Sequence, residues 1–327
     1  MKTLRLFGAA VRAFLCIALA SALSAHAAEL IPGKPLRIIA PAAPGGILDQ
    51  TSRLVAKGLS EALKQPVVVE NAAGAGGTLG IQAMLKADPD GHTLVMGSLG
   101  PNAANYTLQT SLPYKPQDLA PVIHVLSMPN VLVANPKLGV RTVDELKALA
   151  KSTPKGLSMA VSTSGSSGHL TGELFKSRSG LNAVNIIYRG AAPALIDLVG
   201  GQVDIMVDNL ITAQPLIRSG KLVAIAVTTR DRIAQLPDVP TLVESGYPDI
   251  DVTVWLGLFV SAKTPPGVVT ALNQELQKVL ASAEIKQRFG EQGGSPVGGS
   301  PQAFARFVQT EIVRWEQVIK AAGLKAE

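Results

Sequence analysis

Leu36-Arg37-Ile38-Ile39-Ala40-Pro41-Ala42-Ala43-Pro44-Gly45-Gly46-Ile47-Leu48-Asp49 is the stretch whose reading decides the fold. Its first five residues form an apolar strand run. The next six are Pro, Ala and Gly, a loop in which no bulky side chain keeps a ligand from the backbone amides. A helical pattern follows, with Leu54, Val55, Leu59, Ala62 and Leu63 three and four residues apart. A strand that feeds a glycine loop and then a helix is the unit of α/β folds.

The same unit recurs along the chain. Further apolar or β-branched runs stand at 67–70, 93–96, 122–126, 131–134, 157–162, 184–188, 203–207 and 223–228. Helical stretches lie between them, one of them over 143–149 behind Thr142 as a candidate N-cap. The runs are nearly continuous in apolar residues, which predicts parallel sheets buried on both faces by helices. The last part differs. A long apolar run over 252–262 ends at Thr264-Pro265-Pro266-Gly267, and two amphipathic helices follow. One carries Val268, Val269, Leu272, Leu276, Val279 and Leu280; the other carries Phe304, Phe307, Val308, Ile312, Trp315, Val318 and Ile319, a spacing that reads as core packing.

The N-terminus reads as an export signal. Lys2, Arg5 and Arg12 form a positive segment, residues 13–23 are apolar or small, and Ala25-His26-Ala27 fits the small-x-small cleavage rule, so cleavage is expected after Ala27. The run is short for a membrane anchor. Cys16 lies within it, preceded by Leu15 where a lipoprotein signal needs a small residue. Removing residues 1–27 takes away three of 30 basic residues and no acid. That leaves 27 bases against 24 acids, and the net charge falls from +6 to +3. The cationic excess that would suggest nucleic acid thereby disappears. With aromatics at 4% there is little material for stacking on bases. Without Cys16 the chain has no cysteine, which excludes disulfides, thiol catalysis and cysteine–metal sites.

Enzymatic readings find little support. His92, His124 and His169 have no metal-ligand spacing, so no metal is expected. Residues 162–169, Ser-Thr-Ser-Gly-Ser-Ser-Gly-His, resemble a nucleophile elbow, but Gly-x-Ser-x-Gly counted from Gly165 would place glycine where His169 stands. An exported α/β serine hydrolase is the rival reading. It requires His169 or His92 within reach of Ser166 or Ser167. Gly74-Ala75-Gly76-Gly77-Thr78-Leu79-Gly80 invites a dinucleotide reading, yet the third glycine of Gly-x-Gly-x-x-Gly would fall on Leu79, and no cofactor is expected. A structural glycine turn accounts for it better, although such a loop opening a helix can hold an anion.

Binding suits the remaining features. Ala43, Pro44, Gly45 and Gly46 precede a helix whose positive end favours a carboxylate or phosphate, and Asp49 either caps that helix or meets ligand. Thr163, Ser164, Ser166 and Ser167, with His169 behind them, put hydroxyls and amides at a second helix start. Arg189 and Asp208 close two further strands, where α/β sheets place their ligand crevice.

Taken in order, these motifs resemble the periplasmic receptors of tripartite tricarboxylate transporters, the Bug proteins. The markers are the 41–49 loop, Val68-Val69-Glu70-Asn71 leading into 74–80, Asp88-Pro89-Asp90-Gly91-His92-Thr93-Leu94 and Leu112-Pro113-Tyr114. Tyr188-Arg189-Gly190, Gly200-Gly201-Gln202-Val203-Asp204 and Leu236-Pro237-Asp238-Val239-Pro240-Thr241 complete them. The resemblance implies an α/β type II periplasmic binding protein, two α/β lobes around a central ligand cleft. It places lobe 1 at 28–128, lobe 2 at 129–255 and a return to lobe 1 at 256–327, with crossings near 127–130 and near Trp255. It also implies a small-molecule carboxylate ligand held by the 41–49 and 163–167 loops, integral membrane permease subunits as partners, no nucleic acid and a monomer. A receptor reporting to a signalling partner fits the same residues. One departure concerns the mouth. The family loop often reads Pro-Phe-Pro-Pro-Gly-Gly-Pro, whereas Ala42, Ala43 and Ile47 stand here. This more apolar mouth suits an aromatic or longer aliphatic acid better than citrate.

Overall fold

The computed structural model describes residues 33–188, 190–291 and 293–324. In chain order the elements are β1 (Leu36–Ala40), α1 (Ile47–Leu63), β2 (Val67–Asn71), α2 (Thr78–Leu85), β3 (Thr93–Ser98), α3 (Asn105–Leu108) and β4 (Leu119–Ala134). There follow α4 (Val143–Ser152), β5 (Leu157–Val161), α5 (Ser167–Ser179), β6 (Ala183–Ile187), α6 (Ala191–Gly200), β7 (Ile205–Asn209), α7 (Leu210–Arg218) and β8 (Val223–Val227). The chain closes with β9 (Thr253–Ser261), α8 (Pro266–Ala281), α9 (Ala283–Glu291), β10 (Ser295–Gly298) and α10 (Pro301–Ala322).

These elements build two α/β lobes. In the first, β1 pairs in parallel with β2 and β3, and β9 runs antiparallel to β3 and β4. In the second, β5 pairs in parallel with β6 and β7, while β4 is antiparallel to β7 and β8. The sheets are therefore mixed rather than wholly parallel. The outer strands are parallel as the βα units require, and the strands that carry the chain between lobes run against them.

The main departure from the sequence reading is β4. Two strands, 122–126 and 131–134, were expected because Ser127, Pro129 and Asn130 interrupt the apolar run. One 16-residue strand passes through instead, paired with β9 up to Pro129 and with β7 from Asn130. Pro129 lacks a backbone donor and stands where one set of neighbours gives way to the next. The short α9 and β10 were also not foreseen, since α9 buries only Ile285 and Phe289.

Local signals otherwise act as expected. Thr142 Oγ1 accepts from Glu145 N at 3.2 Å while Glu145 Oε2 accepts from Thr142 N at 3.0 Å, a reciprocal capping box at the start of α4. Continuous burial holds for central strands such as β1. The edge strand β2 alternates instead, with Val68 exposed, because one of its faces meets solvent.

The C-terminal helix is bolted to lobe 1 by a buried carboxylate. Glu311 Oε2 accepts from the indole nitrogens of Trp255 on β9 and Trp315 on α10, at 3.1 and 3.0 Å. Arg314 bonds Glu311 Oε1 at 3.3 Å and the Asp251 carbonyl at 2.9 Å. Removing the carboxylate leaves two indole donors unpaired, at about 1–3 kcal/mol each. In urea denaturation Glu311→Ala is expected to lose about 2–4 kcal/mol, and Glu311→Gln, which keeps one oxygen, less. Equal stability of Glu311→Ala and wild type would remove this clamp from the account.

Candidate functional site

Five parallel strands of the two lobes end at one place. The loops after β1, β2 and β3 come from lobe 1 and those after β5 and β7 from lobe 2, and β9 supplies the floor. They enclose a cavity of about 480 Å³. Crevices at the carboxyl ends of such strands are where α/β sheets bind ligands. α1, α5 and α7 all start at its wall, through Ile47, Ser167 and the N-cap residue Asn209.

The first loop presents Ala43 to the cavity. Pro44, Gly45 and Gly46 are exposed beside it without lining it, and Ile47 and Leu48 form an apolar wall. Gly45 has φ +85°, a conformation that favours glycine. Asp49 does not line the cavity. Its buried carboxylate accepts from Gly45 N and from Asn71 Nδ2, both at 2.9 Å, and pairs with Arg53 at 2.9 Å. The Arg53 bond, aided by the Gly45 and Asn71 donors, holds the carboxyl down to about 2. Of the two roles foreseen for Asp49, the structure therefore shows a third: it braces the loop from the first turn of α1, while Gly46 is the N-cap.

The second loop supplies the polar wall. Thr163, Ser164, Ser166 and Ser167 all line the cavity. Ser166 Oγ caps α5 by accepting from His169 N at 3.2 Å, and Gly165 N–H donates to His169 Nδ1 at 3.0 Å. His169 is buried behind the loop and does not line the cavity. Burial lowers its pKa, and the Gly165 bond makes Nδ1 an acceptor, so the ring is neutral and shapes the loop. α5 lies so close to β7 that a Cβ on Gly168 would stand 2.2 Å from the Val207 carbonyl oxygen.

No serine of this loop has a histidine base. His169 Nδ1 is taken by a backbone amide, and its Nε2 faces Asn185 at 3.3 Å. His92 lies at the opposite end of β3 beside Asp90, in a separate surface groove. Ser127 Oγ is 3.4 Å from His124 Nε2, but that ring packs against Phe304 and Phe307, burial pulls its pKa down to about 4, and neither residue lines the cavity.

Asp208 is buried at the end of β7 and does not reach the cavity. Thr212 Oγ1 donates to its Oδ2 at 2.6 Å, and the next residue, Asn209, lines the wall instead. Arg189, like the export signal at 1–27, lies outside the described residues. Gly74, Gly76 and Gly77, read from sequence as a structural turn, do line the cavity, as do Ser98, Asn105 and Trp255. The glycine pattern was a signal that could have found the first three; the others are gathered by strand order alone. Among the described lining residues none is charged. The wall offers hydroxyls, amides and helix N-termini opposite an apolar side, a setting for an anion with an apolar body. No cluster of metal-ligating side chains occurs among the described residues.

Burial pushes the Asp208 carboxyl up to about 6 from 3.8. Well below pH 3.8 folded and unfolded chains are both protonated and the group contributes nothing; between there and about 6 the unfolded chain ionises first and the destabilisation grows. Above pH 6 the folded chain alone carries a desolvated charge, so Asp208 destabilises there. Asp208→Asn is expected to raise stability at pH 8 by about 1–3 kcal/mol and to give no gain at about pH 3. Thermal denaturation across that range checks it; an equal effect at both pH values would contradict the burial argument.

The chain and its fold find counterparts among known proteins. Residues 51–324 match the model of the "Tripartite tricarboxylate transporter family receptor". Protein BugT of Bordetella pertussis is 39% identical over 312 residues, covering 94% of this chain and 95% of BugT. The solved structure of R. palustris Rpa4515 with adipate is 36% identical with a TM-score of 0.82, over 90% of this chain and 99% of that one. The structure of the periplasmic binding protein BugD is 33% identical with a TM-score of 0.80, over 91% and 100%. BugD is thus a periplasmic binding protein, and the matching family is one of transporter receptors. This chain belongs to the tripartite tricarboxylate transporter receptor family, the Bug proteins.

Proposed function

We propose that this receptor captures an organic acid in the cavity between its lobes by cleft closure and hands it to integral membrane permease subunits of a tripartite tricarboxylate-type transporter. The observation that carries the ligand chemistry is the wall itself. Helix starts and neutral donors converge there from both lobes, opposite Ile47, Leu48 and Leu99. Neutral donors and helix N-termini stabilise a carboxylate without a countercharge. The apolar side takes the rest of the ligand, which favours an aromatic acid or a longer dicarboxylic acid over citrate. Adipate in the Rpa4515 structure is an acid of that kind.

In this reading Ala43, Thr163, Ser164, Ser166 and Ser167 meet the ligand. Pro44, Gly45 and Gly46 shape the mouth, and Asp49, His169 and Asp208 hold the loops and strand ends from behind. Arg189 remains a proposed contact on its place after β6. The lobes divide as 28–128, 129–255 and 256–327, and closure bends the chain where β4 and the approach to β9 pass between them. The working unit is the monomer from Ala28 onward.

A thermal-shift screen of that mature protein tests the reading against mono-, di- and tricarboxylates, aromatic acids and acidic amino acids. At a thousandfold excess over Kd, the cognate acid class is expected to raise Tm by roughly 5–10 °C. No shift with any acid, together with no acid released on denaturation as seen by mass spectrometry, would overturn the carboxylate assignment.

A further inference from the structure

Asn130 is the first residue of β4 to pair with β7, and it stands directly opposite Asn209. Side chains of directly opposed residues in an antiparallel pair project from the same face, with Cβ atoms about 5 Å apart. Asn209 lines the cavity; Asn130 lies just behind that lining and projects toward the same wall. A second cavity residue confirms the direction: Ser167 Oγ donates to Asn130 Oδ1 at 3.4 Å. The Asn130 side chain is 0% exposed, and its Nδ2 has no partner among the described residues. A buried amide donor left in that state is uncommon and is destabilising by about 1–3 kcal/mol.

The backbone of Asn130 is by contrast fully held. Its N–H donates to Thr228 Oγ1 at 3.2 Å, and its carbonyl accepts from Thr228 N at 3.1 Å. Thr228 Oγ1 in turn donates to the Val252 carbonyl at 2.6 Å, just before β9. The orphan donor therefore sits on a rigid peptide, between two cavity-lining side chains, at the point where the chain crosses between lobes. We infer that the Asn130 carboxamide is a recognition group of the binding site, its Nδ2 donating to a carboxylate oxygen of the bound acid while its Oδ1 fixes the Ser167 hydroxyl. The assignment rests on the carboxylate reading and names the residue behind the Ser167–Asn209 wall that selects for it. Because that residue belongs to the crossing strand itself, ligand contact there acts on the segment that closure must bend.

The test is calorimetric titration of the mature wild type, Asn130→Ser and Asn130→Asp with adipate and with benzoate, alongside thermal denaturation without ligand. Asn130→Ser removes the amide donor and keeps an acceptor for Ser167. It is expected to weaken binding of whichever acid the wild type takes by roughly 10- to 100-fold, with ligand-free Tm unchanged or slightly raised. Asn130→Asp places an acceptor where a donor is needed and is expected to weaken binding further. Wild-type affinity in both variants would overturn the assignment while leaving the carboxylate reading intact. So would an affinity loss matched by lost ligand-free stability, which would mark a merely structural residue. A wild type that binds no acid of the thermal-shift panel, and releases none on denaturation, would sink the carboxylate reading and this assignment with it.

Discussion

A single hydroxyl joins the two places where the chain passes between lobes. Thr228 Oγ1 accepts from Asn130 N on β4 and donates to the Val252 carbonyl before β9, while Val252 N returns a bond to the Thr228 carbonyl at 2.8 Å. Thr228 is itself wholly buried. The crossings are thus fastened to each other rather than running independently, and the strand ends of both lobes are brought to one cavity. Every wall loop depends on that placement. β4 contributes directly to both sheets, so a shift in its register would move each lobe's loops relative to the other.

Around this constraint the loops are braced from behind rather than by one another. Asp49 holds the first loop through Gly45, and Asn71 adds a bond to the Ala42 carbonyl at 3.1 Å. His169 and the Ser166 cap hold the second loop at the start of α5. These supports consume the ionisable groups near the cleft and leave hydroxyls and amides facing the cavity. Preorganised neutral donors lose little entropy on binding and keep their geometry over a wide pH range. Glu311 does comparable work farther off, fastening α10 to β9, whose Val254, Trp255 and Leu256 form the floor.

The sequence made legible whatever is encoded locally. The βα alternation, the capping box at Thr142 and the loop–helix starts after β1 and β5 each follow from residues within a few positions of one another. What escaped it depends on partners far along the chain. β4 reads as two strands because Pro129 interrupts its apolar pattern, and only the pairing with β9 and β7 shows it to be one. Asn130 and Asn209 look like ordinary polar residues, yet their antiparallel register sets them side by side, and Asn209 lines the cavity. Asp49 and His169 were drawn to the right loops, but burial and hydrogen bonding turn them to support. Asp208 misses the wall because adjacent residues leave a strand on opposite faces. Gly74–Gly77 was read as a structural turn, and its place beside the 41–47 loop depends on the β1–β2 pairing.

The claim on which the account stands is that an acid binds between the lobes, its carboxylate against neutral donors of both. A crystal structure of the mature protein grown with the acid that shifts Tm most would test it directly. The account predicts carboxylate density bounded by the 41–47 and 163–167 loops, within hydrogen-bond distance of Ser167 and Asn130. An acid bound elsewhere on the surface, with this cavity holding only water, would contradict it.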